Sequence, residues 1–412
     1  MLSRVVVISD QSVARGGAEA MAVASAILLA NAGISVTYFC GDAGDAPPLI
    51  AAGVDVVAVG GAHILQAPKA SAFLSGLYSR RSRRALARWI ADHDDAGVIY
   101  HIHSWSKILS PSIFDALRGV QHRVVIHAHD FFILCPNGGF TNYQTHTGCE
   151  LLPMSRACLA SNCDKRSYPE KLWRVGRQRI REHYFDLKTS PATYLLVHRG
   201  MAPFFHRAGV PEAQISVVRN PVEMPSGVRV KAEHNRIVCF VGRLDPEKGA
   251  LDAAQAAKLA GVPLRIIGDG VERAHLAQVN PQAEITGWCE PHEVAMHLAS
   301  ARLLVVPSRW RETFGLAVVE ALRQGVPVVI SNTALISQDV VESEAGLAIN
   351  TQDIAGFAAL LSHLAEADDE IRSMSERAIA AAALLAQAAA DWRDALLAHY
   401  QTVLACGTRR AR

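Results

Sequence analysis

The chain has 412 residues, half of them hydrophobic and 19% charged, with 29 glycines and 8 cysteines. This composition excludes a disordered or collagen-like chain, and the length predicts two domains of about 200 residues each. The formal net charge of +2 is divided unevenly, because residues 1–200 hold 21 Lys and Arg against 15 Asp and Glu, whereas residues 201–412 hold 20 against 24.

Short β-branched runs alternate with alanine-rich stretches along both halves of the chain, which predicts βα units and parallel sheets. We expect a first series of strands at residues 5–8, 35–39, 54–59, 98–101, 124–128 and 193–198. A second series is expected at residues 237–241, 264–267, 284–286, 303–306 and 328–330. Two such series predict an α/β protein with two doubly wound, Rossmann-like domains, whose ligands bind outside the carboxyl ends of the strands.

A Pro- and Gly-rich cluster at residues 219–227 predicts the domain boundary. The first domain then spans residues 1–220 and the second residues 221–390, with a final helix at 391–412. A polar, turn-rich insert at residues 135–168 interrupts the first domain.

Two features of the first half lie next to predicted strands. Gly16 and Gly17 follow the first strand and open an alanine-rich helix, and His129 follows the strand at 124–128. His127 is expected on the other face of that strand, because side chains alternate along a strand. A lone histidine at a strand end is more often structural than functional.

Basic residues concentrate at 80–90 and at 165–181. They are consistent either with solvated helix faces or with a surface that meets anionic lipid headgroups or an anionic acceptor. No nucleic-acid-binding motif accompanies the charge, so a nucleic acid partner is not expected.

Four of the cysteines lie in the insert, at Cys135, Cys149, Cys158 and Cys163. Stable disulfides are not expected in a cytosolic protein. Four thiolates suit a structural zinc ion that would fold a loop with little core of its own. The spacing lacks the usual Cys-x2-Cys pair, so free structural cysteines are the favoured interpretation and zinc is the alternative.

The strand at 237–241 is followed by Gly242, Arg243 and Lys248. A glycine at this place lets the backbone approach a ligand closely, and the two cations suit phosphate oxygens. A surface turn with two solvated bases is the ordinary alternative.

Glu312 and Glu320 lie eight positions apart, with a glycine turn and a helix start between them. The amides from Thr313 to Leu316 are expected to form a positive rim for phosphate or sugar oxygens. Glu312 would then lie in the loop, and Glu320 about two turns into the helix. A diphosphate that carries sugars fits this combination of cations, amides and carboxylates.

This run, with Phe314-Gly315-Leu316 before Glu320 and Gly325-Val326-Pro327-Val328-Val329 after it, resembles the E-x7-E motif of a known family. The family is the retaining glycosyltransferases of the GT-B fold, glycosyl transferases group 1, family four. The resemblance is densest between residues 236 and 346. It implies two facing Rossmann-like domains, a first for the acceptor and a second for the donor, with a last helix that crosses back to the first.

The resemblance also implies roles for particular residues. Arg243 and Lys248 would stabilise the leaving diphosphate, Glu312 would bind donor-sugar hydroxyls, and Glu320 would bind the ribose. His129 would reach the donor sugar or its phosphate, and Trp288 would either stack on the nucleobase or pack. The further donor-binding residues that it implies are Gly16, Gly17, Gly242, Gly268, Thr313, Phe314, Gly315 and Leu316.

The expected function is transfer of a hexose, with retention, from a nucleotide diphosphate sugar to a saccharide or lipid-linked acceptor in bacterial polysaccharide or glycolipid assembly. No Asp-x-Asp lies at a strand end, so we expect no metal cofactor in the reaction. A nucleotide-sugar 2-epimerase and a non-catalytic nucleotide-sugar-binding scaffold are the alternatives.

The chain opens on a strand pattern without a preceding signal sequence, and no apolar run approaches the ~18 residues of a spanning helix. We therefore expect a cytoplasmic protein, with peripheral contact at the inner face of the cell membrane left open.

Overall fold

The computed structural model describes residues 1–14, 16–222 and 229–410. It contains two compact units. The first consists of Met1–Thr145, Cys149–Val218 and Ala389–Arg412, and the second of His146–Gly148 and Arg219–Ala388. Residues 223–227 of the predicted boundary cluster lie outside the described residues.

The first unit is built on a parallel sheet of seven strands in the order β3-β2-β1-β4-β5-β8-β9. The strands in the first part of the chain are β1 (Arg4–Ser9), β2 (Val36–Cys40), β3 (Asp55–Ala58), β4 (Val98–Ile102), β5 (Val124–Ala128), β6 (Thr141–Asn142), β7 (Thr147–Gly148), β8 (Thr193–Leu196) and β9 (Ile215–Val217). The two short strands β6 and β7 lie in the insert.

The second unit has a parallel sheet of six strands in the order β12-β11-β10-β13-β14-β15. Its strands are β10 (Ile237–Val241), β11 (Leu264–Ile267), β12 (Glu284–Gly287), β13 (Ala301–Val306), β14 (Val328–Ser331) and β15 (Gly346–Ile349). The predicted α/β class with parallel sheets is confirmed. Strands β9 and β15 were not predicted, because one has three residues and the other begins on a glycine, so neither gives a clear β-branched run.

Helices cover the sheets and carry the chain between consecutive strands. The helices are α1 (Gly17–Asn31), α2 (Pro47–Ala51), α3 (Lys69–Leu77), α4 (Arg80–His93), α5 (Ser112–Ala116), α6 (Arg156–Ala160), α7 (Tyr168–Tyr184), α8 (Ala202–Arg207), α9 (Ala250–Ala260), α10 (Arg273–Val279), α11 (Pro291–Ala299), α12 (Leu316–Arg323), α13 (Ser337–Glu342), α14 (Ile354–Glu366), α15 (Asp368–Leu385) and α16 (Ala389–Arg410). Among the described residues, none of these helices combines the length and the apolar character needed to cross a bilayer.

The last helix of the chain, α16, is part of the core of the first unit. Trp392, Leu396 and Tyr400 are fully buried in the same hydrophobic cluster as Ile99 of β4 and Val125 of β5. Residues from the two ends of the sequence therefore build one core, which brings α16 against the sheet that carries the histidines described below.

In the second unit, alanines bring a helix close to the sheet. Ala253, Ala254, Ala256 and Ala257 of α9 are fully buried in the cluster that contains Phe240 of β10. Their small side chains let the helix approach closely, and this fixes the loop that joins β10 to α9 at the carboxyl edge of the sheet.

The three inward-pointing bases in the second basic cluster donate hydrogen bonds to backbone oxygens, Lys171 to Cys158 O at 3.1 Å. Arg177 donates to Ser106 O at 2.6 Å and Arg181 to Phe185 O at 2.9 Å, and both side chains are buried, as is that of Lys171. Both expectations for residues 165–181, a solvated helix face and a surface for an anionic partner, are therefore wrong for these three residues, because α7 turns this face into the core. The exposed arginines of α4 remain on the surface, and they are Arg80, Arg81, Arg83, Arg84 and Arg88.

Candidate active site

The second unit places the predicted motif at the carboxyl edge of its sheet. Strand β13 ends at Val306, and α12 begins at Leu316 after Gly315, which has a φ of +74°. Glycine adopts this left-handed conformation without the strain that a side chain would add. Glu320 is the fifth residue of the helix, so it lies little more than one turn in, rather than two. The amides of Thr313 and Phe314 precede the helix, so they are not part of its N-terminus as predicted.

Glu312 is held firmly through one of its two oxygens. Its Oε2 accepts hydrogen bonds from Lys248 Nζ at 2.7 Å, Ser308 Oγ at 3.1 Å and Trp310 Nε1 at 3.1 Å. No described residue donates to Oε1. The carboxylate is therefore fixed in place while one of its oxygens remains an acceptor for a ligand hydroxyl.

The charge of Glu312 is stabilised inside the protein. Burial alone would raise the pKa of this carboxyl, but the Lys248 ammonium and the bonds from Lys248, Trp310 and Ser308 together outweigh it and lower the pKa. Lys248 Nζ also lies 5.3 Å from the centre of the Trp310 ring. Glu312 is accordingly an anion at neutral pH.

Close backbone packing joins the Lys248 loop to the Glu312 loop. A Cβ on Gly249 would lie 2.1 Å from Pro307 O, and a Cβ on Gly268 would lie 1.9 Å from Gly242 O. Only glycine fits at these two places. Gly242 follows β10, Gly268 follows β11, and the Glu312 loop follows β13, so all three lie at the carboxyl edge of the sheet. Lys248 lies at the same edge, in the loop between β10 and α9.

Arg243 lies at the same edge and stays accessible. Its Nη1 is 3.0 Å from Asp245 Oδ2, and its side chain is 59% exposed. An exposed ion pair of this kind adds little stability. The guanidinium can therefore exchange Asp245 for a phosphate group at small cost.

Glu320 has no hydrogen-bond donor among the described residues, and burial raises the pKa of its carboxyl. A carboxylate with a raised pKa in the folded state favours the protonated form, so its contribution to stability is present at acid pH and is lost as the pH rises through the folded pKa. The folded protein thus holds a partly buried hydrogen-bond acceptor, the Glu320 carboxylate, that can accept a bond from a ligand hydroxyl.

Glu320→Gln is therefore expected to raise the melting temperature at pH 7 and to remove that pH dependence, since the amide carries no charge to desolvate. If the ribose is its partner, the dissociation constants for UDP or GDP should rise about tenfold. Differential scanning calorimetry and isothermal titration measure the two effects. Glu342→Gln, at an exposed helical position, is the matched control. A lower melting temperature with unchanged nucleotide binding would contradict the assignment.

Trp288 does not pack in the core, which was one of the two expectations for it. Its side chain is 69% exposed, directly after Gly287 at the end of β12. The alternative role, a stacking face for a base, stays a prediction. Phe314 is 3% exposed, so its ring is buried rather than open to a ligand.

The first unit places His129 just beyond β5, and the prediction for His127 is wrong. Residues two apart on a strand share a face, and the His127 and His129 rings stack with centroids 4.6 Å apart. Burial, and then the nearby His101, lower the pKa of His129 to about 3. A neutral imidazole exchanges hydrogen bonds with a ligand but brings no positive charge to a phosphate.

The glycine pair at the start of α1 has a structural reason as well as the predicted ligand role. A Cβ on Gly16 would lie 2.9 Å from Glu19 Oε2. Glu19 is 2% exposed and pairs with Lys107. Gly17 is the first residue of α1.

Asp10, which the sequence did not single out, organises the same edge of this sheet. Its carboxylate accepts bonds from three consecutive amides, those of Lys107 at 2.7 Å, Ile108 at 2.8 Å and Leu109 at 2.8 Å. Its position directly after a buried strand was the only signal in the sequence. In the second unit, the sequence did not indicate the bonds of Ser308 and Trp310 to Glu312, because these bonds depend on the folded loop.

The four cysteines of the insert line one small cavity together with Lys171. Lys171 Nζ lies 2.8 Å from Cys163 Sγ and 3.9 Å from Cys158 Sγ. Within the part of the chain that is described, no three of these sulfur atoms come within 4.8 Å of one another. The structural zinc therefore stays a prediction, and an ammonium group lies among the thiols.

Comparisons with known proteins agree with this arrangement. Residues 226–381 match the family model of glycosyl transferases group 1. The chain is 30% identical over 159 residues to an uncharacterized 41.2 kDa protein in the cps region of Klebsiella pneumoniae, covering 35% of this chain and 44% of that protein. It is 35% identical over 182 residues to a GDP-mannose-dependent alpha-mannosyltransferase of Mycolicibacterium smegmatis, covering 42% of this chain and 45% of that protein. The matches thus span less than half the length of these relatives.

Solved structures resemble the whole chain. Sucrose-phosphate synthase from Thermosynechococcus elongatus matches with a TM-score of 0.71 at 16% identity, over 98% of this chain and 100% of that chain. Anabaena HepE in complex with UDP and glucose matches with a TM-score of 0.69 at 14% identity, over 97% and 100%. The fold is that of the GT-B glycosyltransferases, and the group 1 match covers most of the second unit.

Proposed function

We propose that the protein is a glycosyltransferase that moves a hexose from a nucleotide diphosphate sugar to an acceptor hydroxyl. The observation that carries this proposal is the geometry of Glu312, which Lys248, Ser308 and Trp310 hold through Oε2 while Oε1 has no described donor. A fixed anionic acceptor beside a cation and a helix N-terminus suits a sugar attached to a diphosphate.

The cations supply the electrostatic part of the reaction. Breaking the sugar–phosphate bond places negative charge on the departing diphosphate, and fixed donors at that point lower the barrier. Arg243, Lys248 and the first amides of α12 are the groups that take this role. Since protein cations provide this charge, the proposal includes no divalent ion.

Retention of the anomeric configuration is the finer part of the proposal and is supported by the likeness of the Glu312–Glu320 run to the retaining family. In that scheme the acceptor hydroxyl attacks on the face from which the diphosphate leaves, and the diphosphate takes its proton. No covalent intermediate on a glutamate is required. We assign the acceptor to the first unit, whose exposed α4 arginines suit an anionic or lipid-linked saccharide.

A thermal-shift panel with UDP-glucose, GDP-mannose and ADP-glucose tests the donor assignment. One of them is expected to raise the melting temperature by several degrees, because a ligand that binds only the native state stabilises it. A CMP-linked sugar, which has a single phosphate, is the control and should have no effect.

The active donor is then incubated with the protein alone and with candidate acceptors. Release of the nucleoside diphosphate supports transfer. A nucleotide sugar inverted at C2 without acceptor would show an epimerase, and tight binding without turnover would show a scaffold. No thermal response to any nucleotide sugar would refute the proposal.

A further inference from the structure

Three buried histidines meet in the core of the first unit. His101 lies on β4, His103 follows this strand, and His127 lies on the neighbouring β5. Their side chains are 0%, 6% and 1% exposed. The ring centroids of His101 and His103 are 4.2 Å apart, and that of His127 is 5.4 Å and 5.1 Å from them. The cluster faces α1 and α16.

Several ring nitrogens in this cluster lack hydrogen bonds. His127 Nδ1, His127 Nε2 and His101 Nε2 are buried without a partner among the described residues. The Val218 backbone is near His127 but makes no hydrogen bond of normal geometry with it. A buried polar group without a partner costs about 1–3 kcal/mol. An apolar side chain would avoid that loss, so three such nitrogens in one cluster indicate that the cluster binds a ligand.

The residue type of the cluster suits a transition-metal ion. Neutral imidazoles offer a nitrogen lone pair, and this ligand suits zinc, copper, nickel and cobalt ions.

We propose that His101, His103 and His127 form a structural site for a transition-metal ion, with zinc as the expected ion. One nitrogen from each residue can be chosen so that all three lie within 4.8 Å of one another. Among the described residues this is the only group of three or more histidine, cysteine or carboxylate side chains with that spacing.

The hydrogen bonds around the cluster match those of metal-bound histidines, whose second nitrogen is held by a neighbouring group. His101 Nδ1 pairs with Tyr400 Oη at 2.7 Å, and this leaves Nε2 as the ligand atom. His103 Nδ1 pairs with His129 Nε2 at 2.9 Å, and its Nε2 pairs with Ser25 Oγ at 3.3 Å. Whichever nitrogen of His103 binds the ion, the other keeps its bond.

The position of the site gives the ion a mechanical role. Tyr400 and Trp392 come from α16, and the Trp392 ring lies 6.0 Å from that of His127. A metal bound by β4 and β5 would orient the imidazoles against which α16 packs. It would therefore stabilise the junction between the end of the chain and the first sheet.

The first test is the metal content of the full-length protein, purified without a metal-affinity step and dialysed against metal-free buffer. Plasma mass spectrometry is expected to find about one zinc per chain in the wild type and much less in His127→Phe, which keeps a ring of similar size. His101→Gln is a second variant in case the first does not fold. Circular dichroism verifies folding of each.

The control separates this site from the cysteine cavity. Cys149→Ser should keep its zinc, because Cys149 is not part of the histidine cluster. Cobalt substitution should give visible bands without the near-ultraviolet sulfur-to-cobalt band that cysteine ligands produce. Zinc added to chelator-stripped wild type should raise its melting temperature, and the same addition to His127→Phe should not.

Wild-type protein with no more zinc than His127→Phe, and with no thermal response to zinc or cobalt, would overturn the proposal. An ordered water would then be the group that satisfies the ring nitrogens. Zinc that is lost in Cys149→Ser but kept in the histidine variants would also overturn it and would place the ion at the cysteines.

Discussion

Glu312→Gln is expected to lower the rate of diphosphate release from the donor at least ~100-fold, the effect of removing one fixed electrostatic group from an active site. The amide keeps the shape of the side chain but loses the charge that pairs with Lys248 at 2.7 Å. It also cannot accept three bonds on one oxygen as strongly as a carboxylate does. The ammonium of Lys248 is then left partly buried without its counter-charge.

The same change is expected to destabilise the fold by about 1–3 kcal/mol, because a largely buried charged bond is lost. The pH dependence has a definite sign. Since the pKa of Glu312 is lowered in the folded state, its stabilisation is present above the ordinary glutamate range and is lost as the pH falls through the folded pKa. Wild type and variant should therefore converge in melting temperature at acid pH.

Calorimetry between pH 3 and pH 8, at roughly unit steps across the glutamate range, measures this convergence. Glu344→Gln is the matched control, because Glu344 also pairs with a cation, Arg377, at 2.7 Å. Glu344 lies just before the amino end of β15, whereas the site lies at the carboxyl ends of the strands. It should leave diphosphate release unchanged. Normal release in Glu312→Gln with wild-type stability would exclude Glu312 from the site.

Arg243→Ala is expected to weaken binding of UDP or GDP by roughly ten- to a hundredfold, the loss of a charged hydrogen bond of about 1.5–3 kcal/mol. The rate of diphosphate release should fall by a larger factor than nucleotide binding weakens, because the charge on the leaving group increases in the transition state. Stability should change little, since the side chain is 59% exposed and its pair with Asp245 lies at the surface.

Isothermal titration with UDP and GDP, together with the rate of diphosphate release, measures both effects. Arg377→Ala removes another exposed, singly paired arginine from the same unit, with a side chain 50% exposed, and should bind nucleotide normally. Nucleotide binding by Arg243→Ala that equals wild type would mean that the guanidinium stays with Asp245. Lys248 and the α12 amides would then carry the diphosphate alone.

The local parts of the candidate site followed from short-range patterns. The strand, the glycine turn and the helix around Glu312 and Glu320 are set by β-branched runs and by a residue that accepts a positive φ, and both are visible in a few consecutive residues. The distance of Glu320 into the helix was misjudged, because the sequence does not mark whether helical hydrogen bonds begin at Thr313 or at Leu316.

The sequence did not indicate correctly which side chains point into the core and which point to solvent. The basic run of α7 was interpreted as a surface, yet Lys171, Arg177 and Arg181 are buried. Long basic side chains reach backbone oxygens in the interior when the neighbouring loops offer them, and those loops are distant in sequence. Trp288 shows the reverse, since a large aromatic that usually packs is largely exposed here.

The sequence by itself determined the alternation of strands and helices, the two sheets, and the cations and carboxylates at the ends of β10 and β13, because each depends on neighbours a few residues away. Only the tertiary structure decided that Oε2 of Glu312 pairs with Lys248, 64 positions earlier in the chain, while Oε1 has no described donor. It alone showed that His101, His103 and His127 meet beneath Tyr400, which is 299 positions from His101. These contacts depend on strand register and helix packing, which join distant segments through a shared core and leave no local pattern in the chain.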